Sequence, residues 1–277
     1  MDAPVPSRPA PSGSAPNGPA PSRSVRAPHP VSLTATDLEL LAFLSEHRFV
    51  LPDHAAALFG VTPLTATRRL DKLAEGGYVR PAAVFSRRPP MYLIRPAGLR
   101  ALGSSLPTPR LDLHTYEHDI GVAWLWLAAR RGTFGPLSEI LAERTLRSRD
   151  GAADHDSHPR ELLGVRRGGT GAHGFDRLHY PDLLLRTADG RWVALELELS
   201  PKHRPKLESI LSAYGADPRI AGVVYLVRSA GVARSVERAA RKLGVSDLVH
   251  LQRVRLDVPL PPVASRLAIE RASGVAR

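Results

Sequence analysis

Between His179 and Lys206 the chain reads HYPDLLLRTADGRWVALELELSPKHRPK, and three carboxylates in it, Asp182, Glu196 and Glu198, have the spacing of a metal site. Tyr180 to Thr187 and Arg191 to Ser200 are rich in β-branched and large apolar residues. Asp189-Gly190 between them is a strong hairpin signal, so two antiparallel strands are expected. Side chains alternate along a strand, which puts Val193, Leu195, Leu197 and Leu199 on one face and Ala194, Glu196, Glu198 and Ser200 on the other, wetter one. Asp182, just after Pro181, reaches the same end of the hairpin. Carboxylates brought together this way repel unless a cation sits among them, and a hard divalent ion such as Mg²⁺ takes oxygen ligands of this kind. The purely structural alternative is an acidic solvent-facing strand.

Pro181-Asp182 followed by an acid on the next strand resembles the PD-(D/E)xK nuclease signature. The resemblance implies that Asp182 and Glu196 (or Glu198) hold Mg²⁺ and that a lysine two residues beyond the second acid helps to activate water. Here the pattern departs: Glu198 or Ser200 stands in the lysine slot, and Lys202 or Lys206 would supply the charge from beyond the strand. A glutamate on the first helix often assists the metal in this fold, which makes Glu117 an accessory candidate.

The elements that must position these groups lie in a chain of 277 residues, enough for one or two cored domains. It has no Cys, which excludes disulfides and thiolate metal sites and suits a reducing cytoplasm. No leader pattern and no membrane-length apolar run is present, so a cytoplasmic protein without a membrane partner is expected. Net charge is +11, and of the 38 basic residues only Lys72, Lys202, Lys206 and Lys242 are lysines. Arginine's planar fork suits phosphate, so double-stranded DNA is the expected partner.

Residues 1–32 are dominated by Pro, Ala and Ser and read as a disordered tail. Thr36-Asp37-Leu38-Glu39 has the form of a capping box for a helix from Asp37 to Glu46. A second helix, Asp53 to Phe59, ends at Gly60, and Thr62-Pro63 opens a third that runs to Glu75. Ala66, Leu70 and Leu73 face inward on this third helix, leaving Thr65, Arg68, Arg69 and Lys72 outward. Tyr78 to Arg80 and Phe85 to Ile94 read as strands around a basic loop.

Three short helices and a basic hairpin over residues 33–103 resemble a winged helix-turn-helix. That resemblance implies a recognition helix bearing Thr65, Arg68, Arg69 and Lys72, with Arg87 and Arg88 on the wing.

Residues 104–256 read as the second domain, an α+β or α/β unit with a mixed sheet. A helix spans Leu113 to Arg131, with His114, Glu117 and His118 near its start. A first strand is expected from Leu137 to Leu146. Residues 147–178 form a polar, Gly-rich flexible loop containing Asp154, His155, Asp156 and His158 at a spacing that matches no ligand pattern. After the acidic hairpin come a helix from Pro205, a strand from Ile220 to Val227, a helix from Val232 to Leu243 and a strand from Leu248 to Val254. Residues 257–277 read as a tail framing a loose terminal helix.

A winged helix joined to a restriction-endonuclease-like domain resembles the replication-relaxation family of actinobacterial plasmids and mobile elements. The resemblance rests on Tyr92 to Gly98, the His114 to Asp119 cluster, and Pro181-Asp182 with Glu196-Leu197-Glu198. It implies a DNA-binding role in replication or mobilisation of the element, with metal-dependent nicking at the acidic site. Other replication or mobilisation proteins and a second copy of the chain (a homodimer) are further candidate partners. The alternative is a non-catalytic regulator or replication accessory with a degenerate nuclease-like domain; a small-molecule-sensing repressor is a third reading.

Overall fold

The computed structural model describes residues 32–84, 88–151, 162–170, 176–256 and 268–271. Helices α1 (Ala35–Glu46), α2 (Pro52–Phe59) and α3 (Pro63–Glu75) precede a hairpin of β1 (Val79–Ala82) and β2 (Met91–Ile94) and a short α4 (Pro96–Ala101). Helix α5 (Tyr116–Arg130) then leads to β3 (Leu137–Ala142) and α6 (Glu143–Gly151). After these come β4 (Val165–Thr170), β5 (Asp176–His179), β6 (Leu183–Thr187) and β7 (Trp192–Glu198). The last described elements are α7 (Arg204–Ala216), β8 (Ile220–Val227), α8 (Ala230–Leu243), β9 (Val249–Arg255) and β10 (Ala268–Arg271).

The capping box forms two residues earlier than expected. Thr34 is the cap: its hydroxyl accepts from the Asp37 N–H at 3.2 Å, and the Asp37 carboxylate accepts from the Thr34 N–H at 2.9 Å. Thr62 caps α3 in the expected place, with Pro63 in the first helical position, where its missing N–H costs nothing. β2 starts only at Met91, because Pro89 and Pro90 have no N–H to give to a ladder. Leu40, Leu44, Leu70, Leu73, Val79 and Tyr92 close the core of this N-terminal unit.

The main sheet is mixed, in the order β10-β9-β8-β7-β6-β3. β3, β6 and β7 run antiparallel, and β7, β8 and β9 run parallel. α5 covers one face, meeting Leu183, Leu195, Leu197 and Leu226 through Leu125 and Ala129. α7 and α8 cover the other, over Ala194, Val223, Tyr225 and Val227. The face of β7 expected to be wet is therefore enclosed, since the crossover helices of the parallel half must pack somewhere.

α5 is also the joint between the two units, as Ala123 and Leu127 belong to the core of the N-terminal helices. A Cβ at Gly121 would collide with Leu197, so glycine lets α5 lie close on β7. His47 and His54 are sealed in this joint against Phe43, Trp124 and Trp126. Burial holds both imidazoles down at about 3, and both are neutral. The Thr145 hydroxyl donates to Glu46 Oε2 at 2.8 Å.

Three stretches differ from expectation. The strand from Leu137 ends at Ala142, where α6 begins, held by the Glu143–Arg147 pair at 2.7 Å and by Leu146 in the core. The stretch 147–178, expected to be all loop, contains the end of α6 and the β4–β5 hairpin. Asp150 accepts from the N–H groups of Leu163 and Gly164 at 2.9 and 3.0 Å, and Val165 enters the core. In the tail, Ala268–Arg271 pairs with β9 as a strand rather than a terminal helix. No described helix is long and apolar enough to cross a membrane.

Candidate functional site

The three acids stand where the sheet changes from antiparallel to parallel pairing. Asp182 directly precedes β6, while Glu196 and Glu198 lie near the end of the central strand β7. The Leu183–Leu195 register brings Asp182 beside this end of β7, and its Oδ2 accepts from the Leu197 N–H at 2.7 Å. Glu196 and Glu198 point toward α7 and are only 2% and 6% exposed. Buried carboxylates at these levels need close partners, and each has one.

Glu196 Oε1 accepts from His179 Nε2 at 2.6 Å and from the Tyr214 hydroxyl at 2.5 Å. Lys202 Nζ pairs with Glu198 Oε2 and stands 3.7 Å from Glu196 Oε2. His118, in the first turn of α5, donates from Nε2 to Asp182 Oδ2 at 3.1 Å. Asp119 lies on its other side at 3.9 Å and is itself 3.7 Å from Arg48 of the N-terminal unit.

These contacts set the charge states. Burial opposes the His118 cation, but Asp182 and Asp119 overcome it and raise the imidazole to about 10. Burial would neutralise Asp182, yet the charge and hydrogen bond of His118, the Leu197 N–H and Lys202 hold it below the ordinary carboxylate value. Burial pushes Glu198 up; Lys202 offsets part of this, and Glu196 and Asp182 add to the rise. Burial also works against the Lys202 ammonium, but Glu196, Glu198 and Asp182 raise its proton affinity.

Asp182, Glu196, Glu198, Lys202, Lys206 and Glu117 all line one open cleft of about 750 Å³. Arg147 and Arg228 form part of its rim. Glu117 stays at the mouth, 65% exposed, where it holds Arg228 at 2.7 Å rather than reaching the other acids. Family models and curated proteins give no match to this chain.

The donor chemistry fits a hard divalent cation. It consists of oxygen from carboxylates on neighbouring strands, and Glu198, raised first by burial and further by Glu196 and Asp182, is a carboxyl whose ionised form a cation would favour. Among the described residues no three acidic or histidine side chains form a closed ligand cluster. Mg²⁺ is usually held by one or two carboxylates and completed by water and phosphate. Asp182 and Glu196, with Glu198 beside them, are the residues that would hold it. Asp154, His155, Asp156 and His158 lie outside the described residues.

On the N-terminal unit, Thr65, Arg68 and Lys72 are exposed along α3. Arg69 differs from its expected outward role: its Nη1 pairs with buried Asp37 Oδ1 at 3.1 Å. Arg88 is exposed, and Arg87 lies outside the described residues. The hairpin leans on the start of α5, with Met91, Leu93 and Phe49 against Tyr116 and Ile120. Phe49 stacks on Tyr116 at 5.4 Å, and Tyr116 lines the cleft.

Sequence reasoning did not assign His118, His179, Tyr214 or Arg228 to the site. His118 sits one helical turn after His114 and carried a signal in that spacing. The contacts of Tyr214 and Arg228 with the acids or Glu117 depend on how α7 and β8 fold back, and no local pattern encodes that.

Proposed function

We propose that this chain binds double-stranded DNA through its N-terminal unit, as a winged helix-turn-helix, and hydrolyses a phosphodiester in its C-terminal cleft with Mg²⁺. On this reading the sheet domain is of the PD-(D/E)xK type. The chain then belongs with the replication-relaxation proteins that act in replication or mobilisation of a plasmid or integrated element. The observation that carries the reading is that Asp182, Glu196, Glu198 and Lys202 line a single basic-rimmed cleft. The hairpin packs beside it, so DNA held by α3 and the hairpin would run toward the acids.

Bound Mg²⁺ supplies a more acidic water and positive charge for the phosphate oxygens. The chain's own residues do the rest. Arg147, Lys206 and Arg228 draw the phosphate backbone to the rim. His118 keeps Asp182 ionised and fixed, and His179 and Tyr214 fix Glu196. Lys202, facing both glutamates, takes the place of the lysine absent from the slot at Glu198 and orients the attacking water. Water oxygen bonds to phosphorus as the bond to the leaving oxygen breaks, the water's proton passing to bulk solvent and the leaving oxygen taking one up from it.

The second reading, a DNA-binding regulator without catalysis, draws on one feature: Lys202 and His118 already neutralise two of the three acids. Supercoiled plasmid incubated with Mg²⁺, Mn²⁺ or EDTA separates the two. Metal-dependent nicking by the wild type, lost in Asp182→Ala and in Glu196→Gln while gel shifts persist, is the expected result. A plasmid shifted but uncut by wild type and variants alike would leave only the regulator.

A further inference from the structure

Beside the carboxylate cleft is a second cavity of about 400 Å³ between α7 and α8, lined by Lys202, Arg204, Leu207, Ser235, Arg238 and Ala239. Three of these six are cations and none is acidic. Like charges facing one space repel, and an anion among them removes that cost. The acid in the neighbourhood, Glu208, is divided between Arg204 Nε and Lys242 Nζ, each at 2.8 Å. Lys202 is likewise held by Glu198, which leaves Arg238 as the lining cation without an ion pair among the described residues.

α8 extends this charge. Val232, Ala233, Val236, Ala239 and Ala240 are buried against the sheet, while Arg234, Arg238 and Arg241 are exposed. Their spacing of four and then three residues puts the arginines along one side of the helix, leading away from the cavity. The hydroxyl of Ser235 donates to the Gly231 carbonyl at 3.2 Å and retains acceptor character, so arginine and lysine are the ligand-facing donors.

We infer that the cavity between α7 and α8 is a phosphate-binding subsite that holds the backbone of a nucleic-acid strand next to the carboxylate cleft, with Lys202 common to both. Arginine's fork matches phosphate oxygens in pairs, and cations on two separate helices fix a phosphate's position rather than merely attracting it. Lys202 lines both cavities and is bound to Glu198. A phosphate in the subsite shares that ammonium and loosens its hold on the glutamates. Occupancy by substrate thus frees the acids for the metal. The inference rests on the proposed function in one respect, that the strand in the subsite is the one lying across the cleft.

The test uses the full chain. Inorganic phosphate is titrated while amide resonances are followed by NMR, and binding of a labelled duplex is measured by anisotropy across a salt series. The wild type should show phosphate-dependent shifts confined to residues 202–207 and 235–239. Arg238→Gln, at an exposed position, should weaken phosphate binding about tenfold, as loss of a charged hydrogen-bonding partner does. It should also lower the slope of log affinity against log salt by about 0.9, one phosphate contact. Arg238→Lys should retain much of both. Phosphate binding and salt slope unchanged in Arg238→Gln would overturn the inference, even if plasmid nicking were found. Loss of both effects with no nicking would uphold the subsite and remove the nuclease. In a third arm, dAMP that binds far more tightly than phosphate and leaves duplex binding untouched would overturn the assignment to a strand.

Discussion

His118 Nε2 stands 3.1 Å from Asp182 Oδ2, joining the first turn of α5 to the start of β6 across the layer boundary. The pair ties a helix shared with the N-terminal unit to the acid on which the proposed metal site depends. It also has a pH signature. The His118 imidazole is raised to about 10 in the fold from an ordinary 6.5, so its stabilisation is complete below pH 6.5 and is lost as pH climbs toward 10. Asp182 is lowered, so its share is present at neutral pH and is lost in acid, below its ordinary 3.8. His118→Gln should therefore melt below the wild type at pH 6, and the gap should narrow steadily toward pH 10. Thermal melts of both proteins across that range check this; a gap that is constant with pH would mean that the pair carries no charge.

How far such contacts could be read in advance depended on their range along the chain. The Asp189-Gly190 turn sets the β6–β7 hairpin, and Gly190 adopts φ 86°. Alternation from that turn puts Glu196 and Glu198 on one side, opposite Leu195 and Leu197. Ile220–Val227, an unbroken apolar run, is β8 itself. What covered the acidic side was not legible, because α7 and α8 are brought there by crossovers whose direction is a property of the whole sheet. Tyr214 looked like any apolar-face residue of a helix until packing put its hydroxyl on Glu196. Likewise Arg69, outward by periodicity, bends back to Asp37, an acid 32 residues away.

Tyr214 and His179 both donate to the same oxygen of Glu196, at 2.5 and 2.6 Å. Glu196 is almost wholly buried, so losing one donor leaves part of a carboxylate's charge uncompensated. Tyr214→Phe keeps the ring and its packing and removes only the hydroxyl. It should cost about 1.5–3 kcal/mol, the range for a hydrogen bond to a charged group. Urea unfolding with an unchanged m-value would register this as a lower midpoint. A loss under about 0.5 kcal/mol would mean that His179 alone satisfies the acid.

Arg68 and Arg69 are neighbours on α3 with opposite expected consequences. Arg68 is exposed with Thr65 and Lys72, on the face expected to meet DNA. Arg69 is half-buried and pairs with Asp37, whose carboxylate also caps α1. Burial works to raise Asp37, but the Thr34 hydrogen bonds, Arg69 and Lys72 together lower it, so the acid is ionised and held. Arg68→Gln should leave the melting temperature unchanged. It should weaken duplex binding and lower the slope of log affinity against log salt by about 0.9. Arg69→Gln should instead lower stability by about 0.5–1.5 kcal/mol, since it strips a partner from a mostly buried acid while Thr34 remains. Its salt slope should stay near that of the wild type. Anisotropy in a salt series, run beside thermal melts of the two variants, decides the matter. If the two substitutions change binding alike, Arg69 leaves Asp37 for phosphate when DNA arrives, and α3 meets the duplex with a broader face than Arg68 and Lys72 alone provide.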